Sequence, residues 1–456
     1  MIHDFCIKNK NHLQILLVIF FFAWGMYWRT SNWQGYSLGF DQVQILRQAE
    51  KITKGQLTLI GPRTGPASTF TGPLIYYLTA IIQFLSSPVI SVVVTPLLLA
   101  FITGMCLFWL SKHYVNFKAS ILVLAIWATA PLLLQLDRIF WNPNLSLLSF
   151  SLVFWPILLA KESNRLDLWL VFIGAFLSYQ AHFSAFVLIP IALVLTIFFK
   201  LDKKFLLTIF LGITTSLLPT FLFDLRHDWL NFKGIVNFST KQGQQINLQL
   251  IFHDCFNNLA IIFETFSKLF YHFSNFKTRV VFGTVFFTIV LIFLLKNTKQ
   301  LVWRSSIILF LISFFFAFYR GEKPEYYFLL VVPIFIINLS KLSFKVPIHV
   351  LAIFFLSQVI VSYQFMVEKN RTNLDLSLGN CLEVEKIIKN ITNTTGIKYL
   401  VYDIIYPNDV GIKYLLEPTY LTENGVIVHI SYPISDEFEN IQSIGRTAVI
   451  IEEKYE

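Results

Sequence analysis

The amino-acid sequence predicts an α-helical polytopic membrane protein with about eleven transmembrane helices, followed by a small C-terminal α/β domain. Of the 456 residues, 55% are hydrophobic and only 14% are charged, and the mean hydropathy is +0.62. Soluble domains carry roughly 25% charged residues. Apolar runs of about 17–24 residues recur along the chain, and about 20 apolar residues span the core of a bilayer. The composition therefore excludes an ordinary soluble protein.

The predicted membrane spans follow from the positions of these apolar runs. They are residues 12–28, 88–110, 119–135, 145–160, 166–181, 183–199, 205–223, 280–295, 305–319, 326–340 and 346–366. A further apolar stretch, Gly72–Leu85, is too short to cross a bilayer. We predict an interfacial or re-entrant helix there, because counting it as a span would place most basic loops outside the cell. The polar stretch Leu248–Phe273 is amphipathic and is predicted to lie along the membrane surface.

Basic residues predict the orientation of the chain, because they fall in every second connection between spans. They are Lys8, Lys10, Lys112, Lys118, Lys161, Arg165, Lys200, Lys203, Lys204, Lys296, Lys299, Arg304, Lys341 and Lys345. By the positive-inside rule these connections and the N-terminus are cytoplasmic. We therefore expect a multi-pass protein of the inner or plasma membrane, with its C-terminal region outside the cytoplasm.

A change in composition near residue 366 predicts two domains. Residues 1–366 form the membrane domain, whose first outer loop is 29–87, and residues 367–456 form the soluble α/β domain. The latter holds 8 Lys/Arg against 14 Asp/Glu, and the remainder of the chain holds 28 against 13. Cys381–Thr392 has a helical pattern, and the patterns at 397–403, 426–430 and 447–451 are typical of short strands. Because the basic residues lie in short loops, nucleic-acid binding is not predicted.

The connections predicted to lie outside the cytoplasm contain most of the unusual polar groups, and Asp41 is the candidate catalytic residue. The candidate substrate-binding residues are Arg47, Arg63, Asp137, Asn142, Asn144, His182, Arg226, His227, Lys323 and Tyr326. A transporter more often has such groups in mid-span and two related halves, and the sequence contains no internal repeat. The pattern therefore favours a membrane enzyme with an outward-facing site over its alternative, a flippase for lipid-linked oligosaccharides.

Asp41 lies where a polar, turn-rich segment follows the first span. The spacing Asp41-x-x-Gln44 before an apolar periodic run is typical of a helix start, with Asp41 as the N-cap. A carboxylate at such a junction can also take a proton from an acceptor hydroxyl or amine. The two interpretations are compatible.

The candidates in the second and third outer connections have structural alternatives as well. Asp137 and Arg138 fit an ion pair at the membrane interface, before a Pro-containing turn that holds Asn142 and Asn144. Alternatively, Asp137 or the two Asn side chains orient a hydroxyl of the donor or acceptor. His182 fits either a structural hydrogen bond or contact with an anionic head group.

The candidates later in the chain lie in two loops, each of which contains basic residues. Arg226 and His227 lie in the motif Phe223-Asp-Leu-Arg-His-Asp228, which fits either a phosphate site or a local cluster of salt bridges. Lys323 and Tyr326 lie in a tight loop that is either a solvated hairpin or a contact to the same head group. Four scattered cysteines with no close-spaced pair indicate neither zinc nor redox chemistry. No metal ligand is assigned, and a divalent metal cofactor stays open.

Taken in order, these motifs resemble the GT-C glycosyltransferases of bacteria, which are related to protein O-mannosyltransferases and lipid A aminoarabinose transferases. The resemblance covers about residues 1–340. It is carried by Asp41, Arg47–Ala49, Gly55, Leu59–Pro62, Gly72–Tyr77, Trp141–Asn144, Ser178–His182 and Phe223–His227. The resemblance implies a GT-C fold. It also implies transfer of a sugar from a polyprenyl-phosphate donor to a glycan, lipid or protein acceptor on the extracytoplasmic face of the membrane.

The resemblance also implies roles for individual residues. Asp41 matches the acid of the first outer loop, which is the presumed general base. Arg226, His182 and Arg63 would neutralise the leaving phosphate.

The chain departs from the family pattern at three points. Gln42 follows Asp41 where many relatives have a second acid, and Thr71-Gly-Pro73 stands in place of Lys-Pro-Pro. Asn142 stands where an acid is expected, which leaves Asp137 as a displaced candidate.

Overall fold

The computed structural model is a bundle of helices with a small sheet near the C-terminus. It describes the chain except for residues 1, 65–68, 161–162, 244–246, 296–297, 320–322, 344–346, 372–376, 396–398, 405–408, 417–425, 432–440, 445–446 and 453–456. Three of the predicted cytoplasmic cations, Lys161, Lys296 and Lys345, lie outside the described residues.

The helices follow the apolar runs of the sequence. They are α1 (Ile2–Thr30), α2 (Phe40–Thr53), α3 (Leu74–Leu85), α4 (Pro88–Tyr114), α5 (Phe117–Thr129), α6 (Pro131–Leu136), α7 (Leu145–Leu159), α8 (Arg165–Ala181), α9 (Leu188–Phe199), α10 (Lys203–Asp224), α11 (Leu230–Gly243), α12 (Leu248–Ser267), α13 (Phe276–Leu295), α14 (Lys299–Ala317), α15 (Val332–Leu342), α16 (Ile348–Arg371), α17 (Leu378–Thr395) and α18 (Asp409–Leu416). Short 3₁₀ helices lie at Trp33–Gly35, Asn142–Asn144, Phe183–Val187 and Glu325–Val331.

The predicted polytopic helical fold is confirmed. Among the described residues, eight helices are long and apolar enough to cross a membrane. The other three predicted spans fall on shorter apolar helices, namely α5, α8 and the run Phe183–Phe199. Helix α5 ends before Pro131 because proline has no amide hydrogen and restricts the residue before it. Helix α3 coincides with the predicted interfacial segment and packs against α2 and α4.

The centre of the bundle is built from α5 and α7, whose residues are apolar on every side. Nearly all side chains of α7 are buried, and the indole rings of Trp127 and Trp155 are fully buried. A helix that is apolar all round belongs in the interior. Helix α12 packs against α13 and α14, and its Phe266 ring lies 4.6 Å from the ring of Phe335. The amphipathic segment is thus held on the bundle through its apolar face.

Contacts between loops define one end of the bundle, which we call the site end. Arg29, at the end of α1, pairs with Asp137 at 2.7 Å. The Asn142 amide donates to the Ala181 carbonyl at 2.5 Å. Lys268, after α12, pairs with Glu325 at 2.8 Å. The connections that carry the predicted site residues therefore lie at the same end.

Contacts between the remaining loops define the opposite end of the bundle. Tyr114 hydrogen-bonds to Asp167 there, and Ser163 to Asp202. The Lys341 ammonium approaches the Tyr114 carbonyl at 3.4 Å. The connections at this end are ones that the basic residues predicted to lie on a single side of the membrane. The structure thus groups the loops in the same alternating way as the sequence analysis did.

The C-terminal region forms a four-stranded sheet with two helices. The strands are β1 (Tyr399–Ile404), β2 (Val426–Ser431), β3 (Ile441–Ile444) and β4 (Thr447–Glu452). Their order is β1-β2-β4-β3, in which β1 and β2 are parallel and the other pairs antiparallel. Helix α18 makes the crossover that parallel strands require. The three strands predicted from the sequence coincide with β1, β2 and β4, and α16 continues to Arg371, beyond the predicted domain boundary at residue 366.

Candidate active site

Helix α2 carries Asp41 in its first turn without using it as a cap. Its N-cap is Gly39, so the interpretation of Asp41 as the N-cap is wrong. The Gln42 side chain accepts a hydrogen bond from the Gly39 amide at 3.0 Å and donates to the Phe140 carbonyl at 3.0 Å. The Asp41 carboxylate forms no hydrogen bond or ion pair with the described residues. The fold therefore leaves this carboxylate available.

Asp41 is exposed to solvent, and neighbouring protein atoms still desolvate its carboxyl in part. This partial desolvation raises the pKa of the Asp41 carboxyl. The carboxylate lies near the Tyr76 hydroxyl, whose pKa is raised by burial and further by the charge of Asp41. It also interacts electrostatically with Tyr326. A carboxylate with a raised pKa is a better general base than an ordinary Asp, since its affinity for a proton is higher.

Tyr326 links Asp41 to His182. Its ring centroid lies 5.7 Å from that of His182 and 4.6 Å from that of Trp141. His182 packs in turn against Tyr327 at 4.4 Å. The structure thus brings three of the predicted site residues, Asp41, His182 and Tyr326, to one locality.

The environment of His182 fixes its protonation. Its Nδ1 atom accepts a hydrogen bond from the Ser184 amide at 3.2 Å. Burial of the side chain lowers the pKa of the imidazole to about 3. At neutral pH the ring is therefore uncharged, with its hydrogen on Nε2. His182 can donate a hydrogen bond to a substrate, but it brings no positive charge to a phosphate.

The second half of the first outer loop is a hairpin that presents Arg63. The Gly61 amide donates to the Thr71 carbonyl at 2.8 Å, and Arg63 pairs with Phe70 across the hairpin. A Cβ atom on Gly61 would meet the Gly72 carbonyl oxygen at 2.0 Å, so the two arms approach as only glycine allows. The Arg63 side chain is exposed.

Helix α8 anchors this hairpin beside His182. The Tyr179 hydroxyl donates to the Phe70 carbonyl at 3.1 Å. The Gln180 side chain accepts from the Leu74 amide at 3.0 Å, and a Cβ atom on Gly72 would lie 2.1 Å from its Oε1 atom. The landmark Ser178–His182 therefore fixes the first outer loop as well as the position of the imidazole.

The turn after α10 is anchored on the same hairpin. Buried Asp224 accepts from the backbone amides of Asn231 at 2.8 Å and Phe232 at 3.0 Å. The Asn231 side chain accepts in turn from the Phe70 amide at 2.8 Å. Asp224 is thus a structural residue that holds this turn against the hairpin.

Arg226 and His227 are presented on that turn with different surroundings. The His227 ring stacks on the Phe223 ring at 3.9 Å. The Arg226 side chain is exposed and makes no hydrogen bond or ion pair with the part of the chain that is described. Its guanidinium is available to an external anion.

Three predicted residues are engaged by the protein itself. Asp137 pairs with fully buried Arg29. The Asn144 side chain accepts from the Trp141 indole at 2.7 Å and donates to the Ile139 carbonyl at 2.7 Å. Asn142 binds the Ala181 carbonyl. These bonds hold the connection before α7 in place, and a contact of these residues to substrate stays a prediction.

The remaining predicted cations, Arg47 and Lys323, lie on two different elements. Arg47 is exposed on α2, and Lys323 is half-buried just before the 3₁₀ helix that carries Tyr326. Both take part in interactions within the protein.

Sequence reasoning missed an ion network at the site end. Glu264 accepts from Arg279 at 2.6 Å and from Lys268 at 2.9 Å, and Lys268 also pairs with Glu325. The spacing of Glu264 and Lys268 at i and i+4 was a readable local signal, whereas the partners on α13 and beyond α14 were not. No group of three or more potential metal ligands occurs among the residues that the structure describes.

The fold is similar to that of solved membrane proteins. ArnT from Cupriavidus metallidurans bound to undecaprenyl phosphate gives a TM-score of 0.61 at 10% identity, over 95% of this chain and 97% of that one. The same protein in the apo state gives 0.60 at 10% identity, over 97% and 98%. The Archaeoglobus fulgidus oligosaccharyltransferase in complex with Zn and sulfate gives 0.50 at 12% identity, over 88% and 61%. No protein-family model and no curated protein matches the sequence.

These similarities show that the chain has the GT-C fold over nearly its whole length. At such low identity they establish the fold, and at that level they confirm the resemblance that the ordered motifs predicted.

Proposed function

We propose that this protein is a membrane glycosyltransferase that moves a sugar from a polyprenyl-phosphate donor to an acceptor in the cell envelope. The acceptor class is a glycan, lipid or protein with a nucleophilic hydroxyl or amine. The observation that carries the proposal is the Asp41 carboxylate. It makes no hydrogen bond or ion pair with the described residues, its pKa is raised, and it shares a locality with Tyr326 and His182.

The chemistry needs one base and several groups that stabilise a phosphate. An acceptor oxygen or nitrogen forms the new bond to the anomeric carbon, and Asp41 takes its proton. The bond between the anomeric carbon and the phosphate oxygen breaks, and its electron pair stays on the phosphate. A positioned base contributes about 10²–10⁴-fold in rate.

The leaving phosphate requires stabilisation by donors and cations. Exposed Arg63 and Arg226 can approach it from the hairpin and from the neighbouring turn. The neutral imidazole of His182 can donate a hydrogen bond from Nε2. Fixed donors in a partly dry cleft stabilise developing charge better than water does, because they need no reorganisation.

The membrane arrangement supports the same proposal. ArnT, with which this chain shares its fold, has been solved bound to undecaprenyl phosphate. We propose the positive-inside orientation, with the site end outside the cytoplasm and the opposite end, rich in Lys and Arg, inside. A sugar on a lipid phosphate reaches such a site without leaving the membrane interface.

The direct test is sugar transfer in membranes supplied with radiolabelled polyprenyl-phosphate sugars. Wild type is expected to label an acceptor, and Asp41→Asn to lose about 10²–10⁴-fold in rate. Asp202→Asn, at the opposite end, is the matched control and is expected to keep wild-type activity. Undiminished transfer by Asp41→Asn would exclude Asp41 as the base. A deletion strain with an unchanged glycolipid and glycan profile would argue against the whole proposal.

Sidedness has its own test. Single cysteines in place of Asp41 and Arg226 are expected to react with a membrane-impermeant maleimide added from the outside of the cell. Labelling of the two positions from opposite compartments would contradict a single outward-facing site.

A further inference from the structure

The segment Asn32–Leu38 connects α1 to α2 and so determines where Asp41 lies. Asn32 has a left-handed backbone (φ 52°), which turns the chain away from α1. The fully buried Tyr36 donates from its hydroxyl to the Arg29 carbonyl at 2.8 Å. Because α2 begins only two residues after Leu38, a shift of this segment moves Asp41 with it.

The C-terminal region contacts the segment Asn32–Leu38 through backbone atoms of both. The Leu378 amide donates to the Tyr36 carbonyl at 2.7 Å, and Ser37 forms an isolated antiparallel bridge with Ser377. A Cβ atom on Gly379 would meet the Gln34 side chain at 2.8 Å. The start of α17 and the α1–α2 segment thus pack at backbone distance.

Helix α18 makes a second contact, on α2 itself. A Cβ atom on Gly411 would meet the Leu38 carbonyl oxygen at 2.3 Å, so α18 lies directly on the start of α2. Buried Ile412 and Leu416 belong to the same apolar cluster as Leu46 of α2. The Tyr414 hydroxyl also hydrogen-bonds to the carboxylate of Glu50, in the last turns of α2.

A third contact ties the C-terminal end of α16 to the same place. The Arg138 guanidinium donates to the Asn370 side chain at 3.0 Å and to the Asn32 carbonyl at 3.0 Å. One side chain therefore joins the connection after α6, the α1–α2 segment and the base of the C-terminal region.

We propose that the C-terminal region is a clamp that positions Asp41, with Gly411 and Tyr414 as positioning residues. A tethered appendage that only recruits an acceptor would need no contact with α2. Here α17 and α18 instead enclose the start of the helix that carries the proposed base. A displacement of about 1 Å at a reacting group can cost about 100-fold in rate. The inference rests on the proposed function, because positioning matters for catalysis only if Asp41 is the base.

The first experiment tests the docking without any activity measurement. The double substitution Ser37→Cys with Ser377→Cys places two thiols across an antiparallel bridge, where Cα separations of about 4.5–5.5 Å suit a disulfide. In the full chain in membranes, mild oxidation is expected to link the two positions, as peptide mapping would show. Absence of the cross-link would refute the clamp.

The second experiment tests positioning with Gly411→Ala and Tyr414→Phe. The alanine favours the helical state of α18, so its effect would arise from the close contacts that its Cβ atom makes with Leu38 and, at 3.2 Å, with the Cys381 Sγ atom of α17. Each variant is combined with Asp41→Cys, and the rate of maleimide labelling is expected to change at least about threefold because the surroundings of the thiol change. In the Asp41 background, kcat is expected to fall about 10- to 100-fold in Gly411→Ala, with KM for the donor almost unchanged.

Lys51→Ala, on the exposed face of α2, is the control and is expected to leave the labelling rate and kcat at wild-type values. Unchanged labelling and unchanged kcat in both clamp variants would overturn the inference. If wild type transfers no sugar, the proposed function fails, and the labelling rates alone still decide whether the clamp positions residue 41.

Discussion

The buried ion pair between Arg29 and Asp137 distinguishes a structural role of Asp137 from a substrate-binding one. Arg29 is fully buried, and its guanidinium meets the Asp137 carboxylate at 2.7 and 2.9 Å. It also donates to the Gly25 carbonyl at 2.9 Å and the Trp127 carbonyl at 3.0 Å, and lies 4.2 Å from the centre of the Trp127 ring. The perturbation is Asp137→Asn, which removes the negative charge and retains the shape.

The expected loss in the free energy of unfolding depends on the hydrogen bonds that Arg29 retains in the variant. Removing one partner of a buried ion pair destabilises a protein by about 3–5 kcal/mol, because a lone charge is left buried. The two carbonyls still accept hydrogen bonds from Arg29, and asparagine offers one acceptor oxygen. We therefore expect the lower end, about 3 kcal/mol, which corresponds to more than 100-fold in the unfolding equilibrium. Replacing both partners by Leu is expected to recover most of the loss.

The measurement is the free energy of unfolding in mixed micelles, followed by circular dichroism. Asp202→Asn is the control, since Asn also caps the start of α10 and the ion pair that it removes, with Lys204, lies at the surface; the expected loss is at most about 1 kcal/mol. A stable Asp137→Asn protein that loses sugar transfer would refute the structural role and assign Asp137 to the substrate. A destabilised protein whose remaining folded fraction transfers at the wild-type rate would support it.

Three further predictions concern the site. The pKa of Asp41 is raised, so transfer that needs its ionised form is lost as the pH falls, and the acid midpoint of kcat/KM should lie above the ordinary value of about 3.9; a midpoint at or below that value would contradict the assignment. His182→Gln keeps a hydrogen-bond donor and should retain about 10-fold more kcat/KM than His182→Phe, since a bond to a charged group contributes about 1.5–3 kcal/mol; equal values would exclude the donor role. Gly72→Ala should reduce the free energy of unfolding by about 1–3 kcal/mol, because its Cβ atom would overlap Gln180; an unchanged unfolding midpoint would show that the hairpin can yield there.

The spans were predictable because each is a local property of its own sequence. All eleven predicted segments fall on apolar helices, and the separate short segment predicted at Gly72–Leu85 contains the helix Leu74–Leu85. The break at Ala130 was missed, although Pro131 marks it, because both flanking runs are equally apolar. Helix α11 was missed as well, since a polar amphipathic helix of 14 residues has no hydropathy signal.

The grouping of site residues was predictable from alternation of the loops, and their partners were not. Alternation placed Asp41, His182 and Tyr326 at one end, and the ring contacts join the last two. The partner of Asp137, however, is Arg29, 108 positions earlier, and not the adjacent Arg138. Only the packing of α1 against α5 decides that pairing, and neither residue type reveals it.

The acidic residues of the site end differ in whether the fold gives them a partner. Asp137, Glu264 and Asp224 each meet a cation or backbone amides, which offset the cost of holding a carboxylate among protein atoms. Asp41 is exposed to solvent, nearby protein atoms raise the pKa of its carboxyl, and it makes no hydrogen bond or ion pair with a described residue. Its neighbour Gln42 provides the return bond to the helix start, a task that an acidic cap would otherwise perform. The Asp41 charge lies at the favourable, N-terminal end of the α2 dipole and needs no side-chain partner for folding. The carboxylate is therefore available to a proton donor such as an acceptor hydroxyl, as the proposed function requires.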